Sequence, residues 1–285
     1  MMGLLSGLES LGLKKASSLE IYEKEESVKK EANKPKEDDV PKSEINEETL
    51  IFDKTYKCPV CDSGFKSKKV KEGKVRTISQ DSDLRPVYSG VDCVKYGALV
   101  CPRCGFAAIT RYFKPLSPTQ NKWIKEEISA NFSGYKLPAG AYSYDDAIMM
   151  HKLALMSTIV KKGKTSERAY CCLMLAWLSR GKYQITDDEE EKKALEVDEL
   201  EMIEKAYDGF VEAFSKEPFP MCGMDEMTLD YLCADLARRL KKYDDAERLA
   251  SHVIISKNST DRFKDKARNL RELIAEEKKH DLTNE

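Results

Sequence analysis

Histidine is scarce in this chain: His151, His252 and His280 are the only three among 285 residues. Proton transfer near neutral pH draws on histidine more than on any other side chain. The first two fall within helical apolar stripes and the third in a polar tail. Each therefore reads as a packed or surface residue, and no nucleophile–base pair emerges. Long apolar runs are missing too, with nothing close to the ~18 residues that a membrane-crossing helix needs. Met1–Leu13 is leucine-rich, but it has no basic leader, Glu9 interrupts it and no small-residue cleavage site follows. A secretory signal is not expected, and a cytosolic location is. A phosphate-binding loop is also lacking. Gly163-Lys164-Thr165 ends like one, yet the position that should hold its first glycine is Thr158, inside a helical stretch. A net charge of −2 gives no reason to expect polyanion binding by bulk charge.

The chain is rich in charge instead, at 34% against 41% hydrophobic, which permits a core and leaves room for a disordered segment. Residues 1–22 carry a short amphipathic pattern, Leu4, Leu5, Leu8 and Leu11. It suits a helix that docks on a partner, on a membrane surface or on the protein's own body, or one that simply frays. Residues 23–49 have two prolines, few apolar residues, and six lysines against ten acidic residues. They read as a disordered acidic linker. Residues 50–116 change to short β-like runs such as IFDKTY, GFKSKKV, KVRTISQ and YGALV, bounded by turn residues. Within 52–115, thirteen Lys/Arg face six Asp/Glu, so this basic module has a net charge of +7 in an acidic chain. From 117 to 280 the signals are helical, with 281–285 as a tail. Helices are expected near 118–131, 144–161, 166–180, 188–216, 225–241, 243–257 and 260–279. The expected caps are a box at Ser117 to Gln120, Ser143, and Thr165 or Ser166, with Gly163 and Gly181 as terminators. The stripe Ala147, Met150, Leu153, Ala154, Ser157 has helical spacing.

Leu240-Lys-Lys-Tyr243-Asp-Asp-Ala246 looks like the inter-helix turn of a tetratricopeptide repeat, with the tyrosine packed in the junction and the alanine allowing close approach. Tyr144-Asp-Asp-Ala147 and Leu178-Ser-Arg-Gly181-Lys-Tyr183 echo its two halves at irregular spacing. The expected fold class is therefore α+β: a small β-rich, zinc-ribbon-like module followed by a mostly α, tetratricopeptide-like helical-repeat domain. An irregular helical bundle is the alternative to the repeat.

Nine cysteines, an odd number, in a reducing compartment favour metal ligation over disulfides. Cys58-Pro-Val-Cys61 and Cys101-Pro-Arg-Cys104-Gly105 are two knuckles. Each places two thiolates on a tight turn whose backbone N–H groups point at sulfur, and together they supply the tetrahedral four-cysteine shell of one structural Zn2+. A redox dithiol or an iron–sulfur centre is the rival use. The 39 residues between knuckles call for an inserted hairpin, and Phe65 and Phe106 should cover the site. A closed shell has no open position for metal-assisted hydrolysis. Its role is to fold a segment too small to bury its own core.

Other clusters have two readings each. Lys66, Lys68, Lys69, Lys71, Lys74 and Arg76, near Phe65, Tyr88 and Tyr112, suit nucleic-acid contact or a charged hairpin edge that resists aggregation. Asp81, Asp83 and Arg85 suit a ligand site or general base, or an Asx-type turn pinning the inserted loop over the metal module. Met221, Met224 and Tyr243 suit a partner groove, with a buried interhelical loop as the alternative. Cys171 and Cys172 read as core. Cys222 and Cys233 read as non-ligands, with Cys93 less certain.

The strings FDKTYKCPVCDSGFKSKKV, DSDLRPVYSGVD, CPRCGFAA, SYDDAIMMHKLAL, AYCCLMLAWL and FPMCGMDEMTL occur in this order across residues 50–280. In this the chain resembles a bacterial family of uncharacterised proteins, the domain of unknown function numbered 2225. The resemblance implies a four-cysteine zinc module ahead of a tetratricopeptide-like domain and carries the metal positions to Cys58, Cys61, Cys101 and Cys104. It implies no activity. The first knuckle departs mildly, with Asp62 where the second has glycine. Taken together, a non-enzymatic cytosolic interaction protein is expected, with nucleic-acid binding by the basic module as the alternative and an enzyme using Asp81, Asp83 and Arg85 as a weaker one.

Overall fold

Two antiparallel hairpins carry the cysteine pairs at their tips. The computed structural model describes residues 5–16, 19, 21 and 46–283. Strand β1 (Ile51–Lys57) pairs with β2 (Gly64–Val70), and β5 (Ala98–Val100) with β6 (Ala107–Ile109). Between them in sequence lies the expected inserted hairpin, β3 (Thr77–Gln80) with β4 (Pro86–Tyr88). Each pair is a separate two-stranded sheet. Such ribbons are marginal alone and must lean on something else. Here β5 and β6 lie on a helix: all six of their residues are buried, and the Ala107 N–H donates to Ser157 Oγ at 3.1 Å.

Seven helices follow: α1 (Pro118–Ile124, continued by a π turn over Lys125–Ser129), α2 (Tyr144–Val160), α3 (Thr165–Tyr183), α4 (Glu189–Phe214), α5 (Glu226–Arg239), α6 (Tyr243–Ile255) and α7 (Asp261–Thr283). Every expected helix is present, with boundaries that shift by a few residues. The Ser117 and Ser143 caps are both reciprocal boxes, with Gln120 and Asp146 as partners. The two Tyr-Asp-Asp-Ala strings open α2 and α6, where their acidic residues complement the positive helix end. The stripe from Ala147 to Ser157 is fully buried. Helices α2 to α7 pack mainly on their chain neighbours, and α7 buries only the stripe Ala267, Leu270 and Ile274, presenting a charged outer face.

Three expected helix signals act differently. Thr165 and Ser166 do not cap α3 with their own side chains. The carboxylate of Glu217, from the loop after α4, accepts from the Ser166 N–H at 3.0 Å and from its hydroxyl at 2.5 Å. The left-handed residue after α2 is Lys162 (φ 50°) rather than Gly163. Gly181 lies inside α3, where an added Cβ would come 2.4 Å from the Tyr144 ring. Its missing side chain lets α2 and α3 close, so Tyr144 fills a helix junction. Tyr243 instead reaches α7, where its hydroxyl donates to Asp281 at 2.7 Å. The α5–α6 turn closes through left-handed Lys241, and Ala246 is fully buried at the crossing.

Leu4 lies outside the described residues, and the described part of the amphipathic N-terminal segment packs on the protein's own body. It forms a single 3-10 turn, Leu8–Leu11, and Leu5, Leu8 and Leu13 are buried in the common core. The Leu11 carbonyl accepts from the Ser133 N–H, and Ser6 O from Lys152 Nζ. Leu5, Leu8 and Leu13 are thus packed inside the protein, while Leu11 is half-buried. The acidic linker lies outside the described residues except for its end. There Glu47 is held by Lys95 at 2.7 Å and by the Tyr96 hydroxyl at 2.6 Å. One hydrophobic cluster runs through the N-terminal turn, the hairpins and the helices. The module of the cysteine hairpins thus shares its core with the helical domain.

Candidate metal centre

The two knuckles are built to the same plan. The N–H of Cys58 donates to Ser63 O at 2.9 Å, and that of Cys101 to Phe106 O at 2.9 Å. In the return direction Asp62 donates to Cys58 O and Gly105 to Cys101 O, both at 3.0 Å. Each knuckle therefore needs a left-handed residue directly after its second cysteine, supplied by Asp62 (φ 58°) and Gly105 (φ 73°). Aspartate tolerates that geometry, so the missing glycine of the first knuckle costs little. At Gly105 a side chain is also excluded by packing, since a Cβ would meet Phe132 at 2.6 Å.

The four sulfurs converge. Sγ of Cys58 lies 3.6 Å from that of Cys104, and Cys61 lies 3.6 Å from Cys101. All four fall within 4.8 Å of one another. Four thiolates about 2.3 Å from a central ion would sit about 3.8 Å apart. The cluster can therefore hold one tetrahedral metal ion. The backbone N–H groups of Val60 and Cys61 point at Cys58, and those of Arg103 and Cys104 point at Cys101. With only protons to share, one thiolate, Cys101, is favoured at the expense of Cys58 and Cys104. Hydrogen bonds from Cys104 and Cys58 hold Cys101 well below the usual thiol range, while Cys58 is pushed up to about 12 and Cys104 is pushed up further. A dication removes that competition by stabilising all four thiolates.

Phe65 and Phe106 are buried, and a third ring joins them in one aromatic cluster. Phe113 contacts Phe65 at 5.8 Å and Phe106 at 5.3 Å between centroids, and Tyr56 stacks on Phe65. Phe113 and Phe132 were not singled out in the sequence, and nothing in their local spacing marks them. Cys93 is not part of the cluster: burial, with Asp92 and Glu47 nearby, pushes its thiol up to about 12. Cys171, Cys172 and Cys233 are fully buried in the helical core.

Asp81, Asp83 and Arg85 do form one network, but it faces the helices, not the metal. Asp83 is 1% exposed. Its Oδ1 accepts from Arg180 at 3.1 Å and from the Arg85 N–H at 3.3 Å. Its Oδ2 accepts from Arg180, from Trp177 Nε1 at 3.0 Å and from Arg239 at 3.2 Å. Arg180 also bonds Asp81 at 2.8 Å, and both helix arginines meet Glu199 of α4. Arg85 turns the other way, to Asp92 at 2.8 Å. Burial alone would raise the Asp83 carboxyl, but Arg180 and Arg239 outweigh it and hold the group well below the usual carboxylate range. The hairpin tip is a peg set among α3, α4 and α5. The expected turn is real, with Leu84 left-handed at φ 66°, but it pins the loop to the helical domain rather than over the metal module. Both Asp83 oxygens are fully engaged, which leaves no lone pair turned toward a substrate.

The remaining candidates are dispersed. The β1–β2 register puts Lys66 and Lys68 on one face and Lys69 on the other, with Lys68 paired to Asp53 and Lys69 to Glu72. Lys71 donates to Thr49 O, while Lys74 and Arg76 are exposed. Met221 is buried, and Met224 is half-buried. Their backbones bond each other across a tight turn at Cys222 and Gly223, so Met221 does not line an open groove. His151 is buried and held neutral, its pKa lowered to about 4 by burial, with Nδ1 donating to Ala147 O at 2.7 Å. His252 bonds Asp230 at 2.6 Å.

Fold and site together define an α+β protein with paired cysteine hairpins docked on a helical domain. The chain belongs to a bacterial family: the model described as "Uncharacterized protein conserved in bacteria (DUF2225)" matches residues 51–274. Neither the curated proteins nor the solved structures contain a match. No helix among the described residues is long and apolar enough to cross a membrane.

Proposed function

We propose that this protein is a non-enzymatic interaction scaffold of the bacterial cytosol, in which one structural zinc ion fixes the two hairpins and a tetratricopeptide-like helical domain receives a protein partner. The observation that carries this reading is that the two most reactive-looking clusters, the four cysteines and the Asp83 carboxylate, are both committed within the fold. All four sulfurs point at one centre and every Asp83 oxygen is bonded within the fold. Polar networks of that kind fix relative position, and helix pairs stacked on chain neighbours offer an extended surface for binding. A tagged full-length chain is expected to retain a specific protein from native cell extract at near-physiological salt, and retention of no specific protein would count against the reading.

Nucleic-acid binding is favoured by one observation: Lys66, Lys74 and Arg76 are exposed on the basic module and form no ion pair closer than 4 Å among the described residues. That reading requires RNA or DNA affinity that falls steeply with salt and weakens when Lys66, Lys74 and Arg76 are changed together to alanine. A flat titration at low salt ends it.

A further inference from the structure

The β1–β2 ribbon has one covered edge and one open edge. Lys71 N–H donates to Leu50 O at 2.8 Å and Cys58 N–H to Ser63 O at 2.9 Å, so both pairs continue the β1–β2 register. Antiparallel pairs alternate between hydrogen-bonded and non-bonded. Phe52, Lys54 and Tyr56 therefore turn their backbone groups toward β2, and Asp53, Thr55 and Lys57 turn theirs away. On the far side of β2 the freed Lys68 N–H is taken by the Tyr142 hydroxyl at 3.0 Å. On the far side of β1, among the described residues, no group bonds the backbone of Asp53, Thr55 or Lys57, and all three are exposed. A seven-residue strand with an open edge is a template for another strand.

We propose that this edge pairs antiparallel with the same edge of a second copy of the chain, forming a four-stranded sheet about a twofold axis. The side chains select the partner and the register. With Thr55 opposite its own counterpart, Asp53 of each copy falls opposite Lys57 of the other. On the opposite face, Lys54 falls opposite Tyr56, a contact it already makes within the chain at 5.3 Å. Shifting the register one way sets Lys54 against Lys54 or Asp53 against Asp53, both like-charge contacts, and shifting it the other way separates Asp53 from Lys57 and sets Tyr56 against Tyr56 or Lys57 against Lys57. The present partners of Asp53 and Lys57, Lys68 at 2.8 Å and Asp62 at 2.9 Å, sit at the surface, with the Asp53 side chain 47% and that of Lys57 73% exposed. Surface pairs of that kind are easily shared or exchanged.

Sedimentation of the full-length protein at about 100 μM, a range that populates small interfaces, tests the pairing. The wild type is expected to be a dimer. Thr55→Pro, which removes an outward N–H and no β1–β2 bond, is expected to be a monomer with unchanged metal content and circular dichroism. Asp53→Lys and Lys57→Asp are each expected to be monomeric, because each places like charges opposite one another. Their equimolar mixture is expected to dimerise again, because the two variants complement each other at both positions. A monomeric wild type, a Thr55→Pro dimer, or a mixture of the charge variants that stays monomeric would overturn the proposal.

Discussion

Replacing Cys58 by serine is expected to release the metal and melt the β1–β2 hairpin while most of the helical signal survives. The serine hydroxyl is a poor ligand for a soft tetrahedral site, and three thiolates no longer close the shell. Structural zinc contributes on the order of 10 kcal/mol to the folding of small modules, comparable with the whole net stability of a typical domain. The hairpins cannot replace that from packing, since β1 buries only Ile51 among its seven residues. The β5–β6 hairpin differs, because all six of its residues lie against the core. Hydrogen exchange should therefore show a graded loss: complete over residues 51–70, partial over 98–109, and slight in α5, α6 and α7. Uniform protection in the variant would show that the cysteines do not hold the hairpins.

The second large effect is expected at Asp83. Asp83→Asn keeps the size of the side chain and removes its charge, leaving Arg180 and Arg239 facing each other across Glu199. Removing one partner from a buried ion network costs about 3–5 kcal/mol, or roughly 10 °C in thermal midpoint for a chain of this length. Asp81→Asn should cost much less, because its carboxylate is 28% exposed and shares Arg180 with Asp83 and Glu199. The pH dependence follows from the depressed native pKa. The Asp83 contribution is fully present above the ordinary unfolded carboxylate value of about 4, and it is lost as pH falls from there through the lowered native value. The wild type should therefore destabilise steeply below about pH 4, and Asp83→Asn should flatten that slope. Equal slopes in urea titrations across this range would show that Asp83 does not carry the linkage.

The parts of the fold written in local pattern were legible in the sequence. Both knuckles follow from Cys-Pro-x-Cys spacing, and the helices from caps and apolar stripes, because these signals act within a few residues. The Asp83 peg was not legible, for a physical reason. Its partners Trp177, Arg180 and Arg239 lie 94, 97 and 156 residues away. An arginine in the last turn of a helix is already accounted for by the helix dipole and a solvent-exposed charge, so nothing local distinguishes Arg180 from a surface residue. The same holds for Tyr142, whose hydroxyl binds β2 at Ser67 Oγ and Lys68 N–H, and for Glu217 at the start of α3. Gly181 misled in the opposite sense: in sequence it marked a helix end, whereas in the structure the Tyr144 ring requires the gap. The lysine run is divided in the structure, since strand alternation sends Lys68 and Lys69 to opposite faces.

Elemental analysis of the full-length protein, purified without added metal or chelator, addresses the central claim most directly. About one zinc per chain is expected, as a single four-cysteine shell requires, and its removal by a strong chelator should lower the thermal midpoint and expose residues 51–70 to exchange. Iron in place of zinc, or metal-free protein with the same midpoint and the same protection, would contradict the account.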